Sequence, residues 1–103
     1  MEFNYANFQP SDLDRMNTER DPEIYGSIFV KNGRNYYIAD VEWETIFAYG
    51  RRGISINVYE SNDIMQHRLY IEEIKSIVTA TNYKKFKKRA ENEIRKVIEL
   101  WEK

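Results

Sequence analysis

The chain has no cysteine, one histidine, two prolines and four glycines among its 103 residues. Without cysteine there is no disulfide framework and no thiolate-held zinc or iron–sulfur cluster. With His67 as the sole histidine, a histidine-rich metal site is excluded too. Long apolar runs are lacking, so no membrane-spanning helix is expected. No basic start followed by an apolar stretch marks a secretory leader. Chemical motifs are missing as well. There is no glycine-rich dinucleotide fingerprint and no phosphate-binding P-loop. None of Ser11, Ser27, Ser55, Ser61 or Ser76 sits in a G-x-S-x-G nucleophile elbow. Excess charge is absent, with 16 basic against 17 acidic residues. These gaps describe a soluble, cytoplasmic, non-catalytic single domain for which no cofactor, metal or membrane is expected.

What is present points to a sheet. The chain is 42% hydrophobic, and it holds twelve isoleucines against three leucines (Leu13, Leu69, Leu100). Fifteen residues are aromatic, eight of them tyrosine. Isoleucine and tyrosine suit a pleated, half-buried surface better than a helix bundle. The expected class is α+β, with two antiparallel hairpins and a further strand forming one sheet under a C-terminal amphipathic helix. The Ile, Tyr, Asn and Lys bias also suits an AT-rich coding source, such as a low-GC bacterium, a phage or a mobile element.

Along the chain, residues 1–22 read as a polar arm, followed by one α+β domain over 23–103. Phe3, Tyr5 and Phe8 alternate with polar residues, Pro10 interrupts, and Ser11 is positioned to cap a short helix ended by Pro22. Asn32-Gly33 between two β-rich runs is a strong hairpin signal. A turn there pairs Phe29 with Tyr36. It puts Ile24, Ile28, Val30, Tyr37, Ala39 and Val41 on a core face. The other face carries Tyr25, Phe29, Tyr36 and Ile38 beside Lys31, Arg34 and Asp40. That face is too apolar to stand bare in water, so it is covered or it binds something.

A second hairpin is expected around Gly50-Arg51-Arg52-Gly53, with Tyr49 facing Ile54, Phe47 facing Ile56 and Thr45 facing Val58. A helix over 41–49 is the rival. A strand near 66–72 follows, leading into an ambiguous segment through Thr81. Tyr83, Phe86, Ala90, Ile94, Val97 and Trp101 recur at helical spacing and draw one stripe. Asn82 or Thr81 caps its start, and opposite charges at i,i+4 support its outer face.

Three groups carry candidate function. Tyr25, Phe29 and Tyr36, with Arg51 and Arg52 at a loop tip, resemble a partner-binding surface, because aromatics and arginine supply contact area and polar handles at low entropic cost. Lys84, Lys85, Lys87, Lys88 and Arg89 crowd the start of the last helix, where the helix dipole disfavours cations. Charge is polarised along the chain: residues 1–23 carry six acids and two bases, residues 82–103 four acids and eight bases. Asp40, Glu42 and Glu44 share one face if their stretch is extended. The expected function is occlusion or bridging of a surface on a larger protein, as an inhibitor or accessory factor. The alternative is a nucleic-acid-binding regulator using the basic helix start. Either a monomer or a homodimer fits.

Overall fold

A computed structural model describes residues 1–18, 24–46, 51–78 and 82–103, with side chains described for all of these except 17, 24–25, 43–46, 51–52 and 76–78. Five strands and two helices follow in the order β1 (Glu2–Asn7), α1 (Pro10–Thr18), β2 (Ile24–Asn32), β3 (Asn35–Ile46), β4 (Arg51–Ser61), β5 (Leu69–Val78) and α2 (Tyr83–Trp101). The strands form one antiparallel sheet in sequence order. This is the expected α+β architecture with the expected five strands, but β1 is one of them and the two strands expected on either side of residue 42 are the single continuous β3.

The unexpected strand, β1, lies in the segment read as an arm. The alternation of Phe3 and Tyr5 is that of a strand with one wet face, and β1 pairs with β2, Phe3 opposite Val30. Pro10 starts α1 instead of interrupting, because a first-turn proline gives up only an N–H that no helix bond needs. Gln9, not Ser11, precedes the first turn, and the Asp12 carboxylate accepts the Gln9 N–H at 2.7 Å. Phe8, Leu13 and Met16 are all buried in the main core. The proposed stop at Pro22 lies outside the described residues.

The first hairpin turns one residue later than the Asn-Gly signal suggests. Asn32 pairs with Asn35, so Gly33 and Arg34 form the turn. Gly33 has φ +62° and Arg34 does not share a positive φ, which is the type II′ pattern with glycine first. Phe29 therefore faces Ile38, and Tyr36 faces Lys31. The slip is two residues in register, so each side chain keeps its face.

The second hairpin is corrected more deeply. Ile56 faces Val41, and Val58 faces Ala39. Ile46 pairs with Arg51 and Thr45 with Arg52, so both arginines belong to β4 and not to a loop tip. The expected partners Phe47 and Tyr49 lie outside the described residues. A run of alternating apolar residues pairs equally well in several registers; the longer β3, which is strand and not helix through Ile46, decides this one.

One sheet face is the core. Ile28, Val30, Tyr37, Ala39, Val41, Ile54, Ile56, Val58 and Ile74 are buried there beneath Phe86, Ala90, Ile94, Val97 and Ile98 of α2. The helical stripe runs as expected except at its end, where Ile98 replaces Trp101. The Trp101 indole N–H reaches out to Glu60 instead. Asn82 caps α2, its side-chain oxygen accepting the Lys85 N–H at 3.2 Å; Thr81 lies outside the described residues. Both edge strands are irregular, β1 between Asn4 and Asn7 and β5 at two places opposite β4. Such bulges blunt an edge against pairing with other chains.

Candidate docking face

The face away from the helices is built in rows, because residues opposite each other on neighbouring strands project the same way. Asn4, Phe29, Ile38, Tyr59 and Tyr70 form one row across all five strands. On one side of it lies the row Glu2, Lys31, Tyr36 and Ser61. On the other lies Ser27, Asp40, Asn57 and Glu73. Asp40 and Glu42 share this face as expected, and Glu42 accepts a bond from the Asn57 amide at 3.0 Å.

Part of this face is covered by the chain itself. Ile38 is fully buried yet stands apart from the main core cluster. Its strand neighbours are Phe29, Tyr36, Tyr59 and Asp40, and the β4–β5 connection, residues 62–68, reaches this part of the face through Met65 and Arg68. Arg68 places its guanidinium 5.2 Å from the centre of the Tyr59 ring. The same guanidinium donates to the Asp40 carboxylate, whose side chain is only 6% exposed. Ser27 donates to the other Asp40 oxygen at 2.7 Å. The connection is closed on itself by Ser61 Oγ donating to the His67 carbonyl at 2.5 Å and by the Gln66 N–H on Asn62 Oδ1 at 3.1 Å. Met65 takes φ +55°, a left-handed conformation uncommon outside glycine. We call residues 62–68 the strap.

Sequence reasoning identified the excess of apolar residues on this face. It did not find the strap, since nothing in Asp63–Arg68 marks it as a cover. Burial is also the first cause pushing the Tyr59 hydroxyl above its usual pKa, with the Asp40 charge adding to it.

The strap is tied down by one partly exposed cation on one buried anion. Arg68→Ala leaves the Asp40 carboxylate buried with Ser27 as its one remaining side-chain partner among the described residues. The expected loss is about 1–2 kcal/mol in urea unfolding, below the value for a fully buried pair because Arg68 itself meets water. Faster amide exchange at Met65–His67 is expected alongside it. Unchanged stability and unchanged exchange would show that the pair does not hold the strap.

Beside the strap lies a groove of about 520 Å³, whose lining includes Phe29, Lys31, Tyr36, Met65, Glu2 and Asn4. The Lys31 ammonium sits 5.7 Å from the Tyr36 ring centre. A second hollow of about 410 Å³ lies across Tyr36, between the β2–β3 turn and the start of the strap. Phe29 and Tyr36, both half-buried, are thus brought together. Met65 was missed because it comes from the strap.

The other residues of the expected surface are not part of this groove. Arg51 lies ten residues along β4 from Ser61, the partner of Tyr36. At strand rise that is about 33 Å, so the Arg51-Arg52 pair and the groove occupy opposite ends of the sheet. Tyr25 falls at the β2 irregularity between Ile24 and Gly26. The side chains of Tyr25, Arg51 and Arg52 lie outside the described set.

On the opposite side of the molecule, the basic helix start divides. Lys87 turns inward, 4.6 Å from the Tyr5 ring centre and 5.8 Å from that of Tyr83. Lys84, Lys85, Lys88 and Arg89 are exposed. The expected i,i+4 pairs give way to other contacts. Glu91 accepts from the Tyr5 hydroxyl at 2.5 Å, and Glu93 pairs with Lys96 at 3.3 Å. Glu102 accepts from Tyr37, Asn35 and Asn32. The Tyr37 bond is the main reason the Glu102 carboxyl lies below its ordinary pKa.

No group of histidine, cysteine, aspartate or glutamate suited to a metal ion occurs among the described residues. No helix of the described residues is long and apolar enough to cross a membrane. The chain matches no family model, no curated protein and no solved structure.

Proposed function

We propose that the protein is a small non-catalytic binding protein that occludes or bridges a surface of a larger protein, and that the Phe29–Tyr36–Met65 groove is where the partner docks. The observation that carries this reading is the composition of that groove. Phe29, Tyr36 and Met65 are among the residues that line it, together with the polar Lys31, Glu2 and Asn4. Protein interfaces are enriched in aromatics and methionine at their centres and polar at their edges. Half-buried aromatics on a rigid sheet also lose little freedom on binding. The partner is expected to insert an apolar side chain against Tyr36.

The test is capture from a lysate of the source cell, after nuclease treatment and a high-salt wash, followed by affinity measurement on the purified partner. Phe29→Ala and Tyr36→Ala should each weaken binding by more than about 2 kcal/mol, the range of interface hot spots. That is roughly thirtyfold in Kd. Arg51→Ala with Arg52→Ala should change it little, given their distance from the groove. Equal retention by the two aromatic variants, both verified as folded, would refute the groove as the docking site.

A further inference from the structure

We infer that the outer face of α2 is a second, independent surface that binds the phosphate backbone of a nucleic-acid duplex. The argument rests on how the fold sorts the charges of its last helix. Lys84 and Lys88 are one helical turn apart, and so are Lys85 and Arg89, which makes two adjacent rows on one face. All four are exposed, and none of their side chains has an ion pair or hydrogen bond among the described residues. The helix's acids are drawn elsewhere. Glu91 is turned to Tyr5 and Glu93 to Lys96. Glu102, just past the helix end, is turned to Tyr37, Asn32 and Asn35. Glu99 remains on the outer face, ten residues beyond Arg89 and so about 15 Å along the axis. At the helix start, the Asp12 carboxylate accepts the Gln9 N–H, and after burial its charge also pushes the Tyr83 hydroxyl pKa up.

Local stability does not explain this arrangement. The first turn of α2 holds no acid, and cations there oppose the helix dipole. The chemistry of the face separates a nucleic acid from an acidic protein as its occupant. Protein interfaces are poor in lysine and anchored by aromatics. Here three lysines and an arginine stand without an aromatic among them, since Tyr83 and Phe86 face inward. Regularly spaced cations without an apolar anchor suit phosphates, which position a protein without reading bases. Lys87, assigned to the basic cluster from sequence, is excluded because it lies over Tyr5 and Tyr83.

The experiment is fluorescence anisotropy of the full chain with a labelled DNA duplex of about 25 base pairs and arbitrary sequence. Four phosphate contacts predict a slope of log affinity on log salt near −3.6, at about −0.9 per contact. Affinity should fall on the order of a hundredfold between 50 and 200 mM salt. The combined K84Q/K85Q/K88Q/R89Q variant should lose both the binding and the slope. A K84R/K85R/K88R variant should keep both, which separates charge from folding. Absence of duplex binding at 50 mM salt would overturn the inference. So would an unchanged slope in the glutamine variant, or tighter binding to polyglutamate than to the duplex, which would assign the face to an acidic protein.

Discussion

Phe8→Ala is expected to destabilise the protein by about 3–5 kcal/mol, the range for removing a fully buried phenylalanine. Phe8 has no exposed surface. Its ring centre lies 5.1 Å from that of Phe86 and 5.9 Å from that of Tyr83. Its carbonyl also accepts the Tyr83 hydroxyl. Phe8 therefore joins the β1–α1 corner to the start of α2. Truncation removes its transfer energy and leaves a hole walled by two rings and the backbone, none of which collapses freely. Since domains of this size are stable by only about 5–15 kcal/mol, the urea midpoint should drop by a large fraction. A loss below about 1 kcal/mol would mean that residues 1–18 are an arm after all.

Gly26→Ala is expected to cost about 3 kcal/mol or more, and for a backbone reason. A methyl group at this position would stand 1.9 Å from the Asn7 carbonyl oxygen and 3.1 Å from Phe8 Cδ2. No side-chain rotation relieves contact with a main-chain oxygen. The end of β1 must withdraw, which disrupts the Asn7–Ser27 pairing and the seat of Phe8 together. Overpacking of a rigid site commonly costs 1–3 kcal/mol, and loss of strand pairing adds to it. Gly33→Ala provides the contrast. Its φ is +62° and nothing lies within 4 Å of the added carbon, so only conformational strain of about 1–2 kcal/mol is expected. Thermal melts of the two variants should rank in that order. An equal or reversed ranking would contradict the close β1–β2 contact.

These two substitutions mark where the sequence was hardest to read. Phe3, Tyr5 and Phe8 alternate, but β1 is short and bulged. Its polar partners Asn4 and Asn7 made it look like a tether. What makes it a strand is tertiary: Gly26 leaves room for its close approach, and Tyr83 receives Phe8. By contrast, α2 was legible in detail, because a nineteen-residue amphipathic helix repeats its signal over several turns. The β2–β3 hairpin was legible in its faces and off by two in its register. Alternation fixes a face strongly, while the turn type alone fixes the partner. Arg51 and Arg52 were misplaced at a tip because Gly50 and Gly53 resemble turn residues; the long β3 carries the pairing past them.

The candidate face shows the same division. Phe29, Tyr36, Ile38, Lys31 and Asp40 were all assigned to one surface from alternation, and all lie there. Their distinct roles were not visible in the sequence. Ile38 is fully buried, Asp40 holds Arg68, and Phe29 with Tyr36 flanks an open groove. Those roles depend on residues 62–68 folding back across the sheet, a long-range event that no local pattern encodes. The charge polarity of the sequence was visible, but not that Lys87 and three of the last four acids would be turned away from the outer face of α2.

The most direct test of the docking-face reading is photo-crosslinking in the source cell. Tyr36→p-benzoylphenylalanine places a reactive ketone at the wall of the groove while keeping an aromatic ring there. A discrete, nuclease-resistant protein adduct from this position is the predicted result, with no such adduct when the crosslinker replaces Asn92 on the outer face of α2. Failure to form an adduct at position 36, or formation of the same adduct from position 92, would contradict the account.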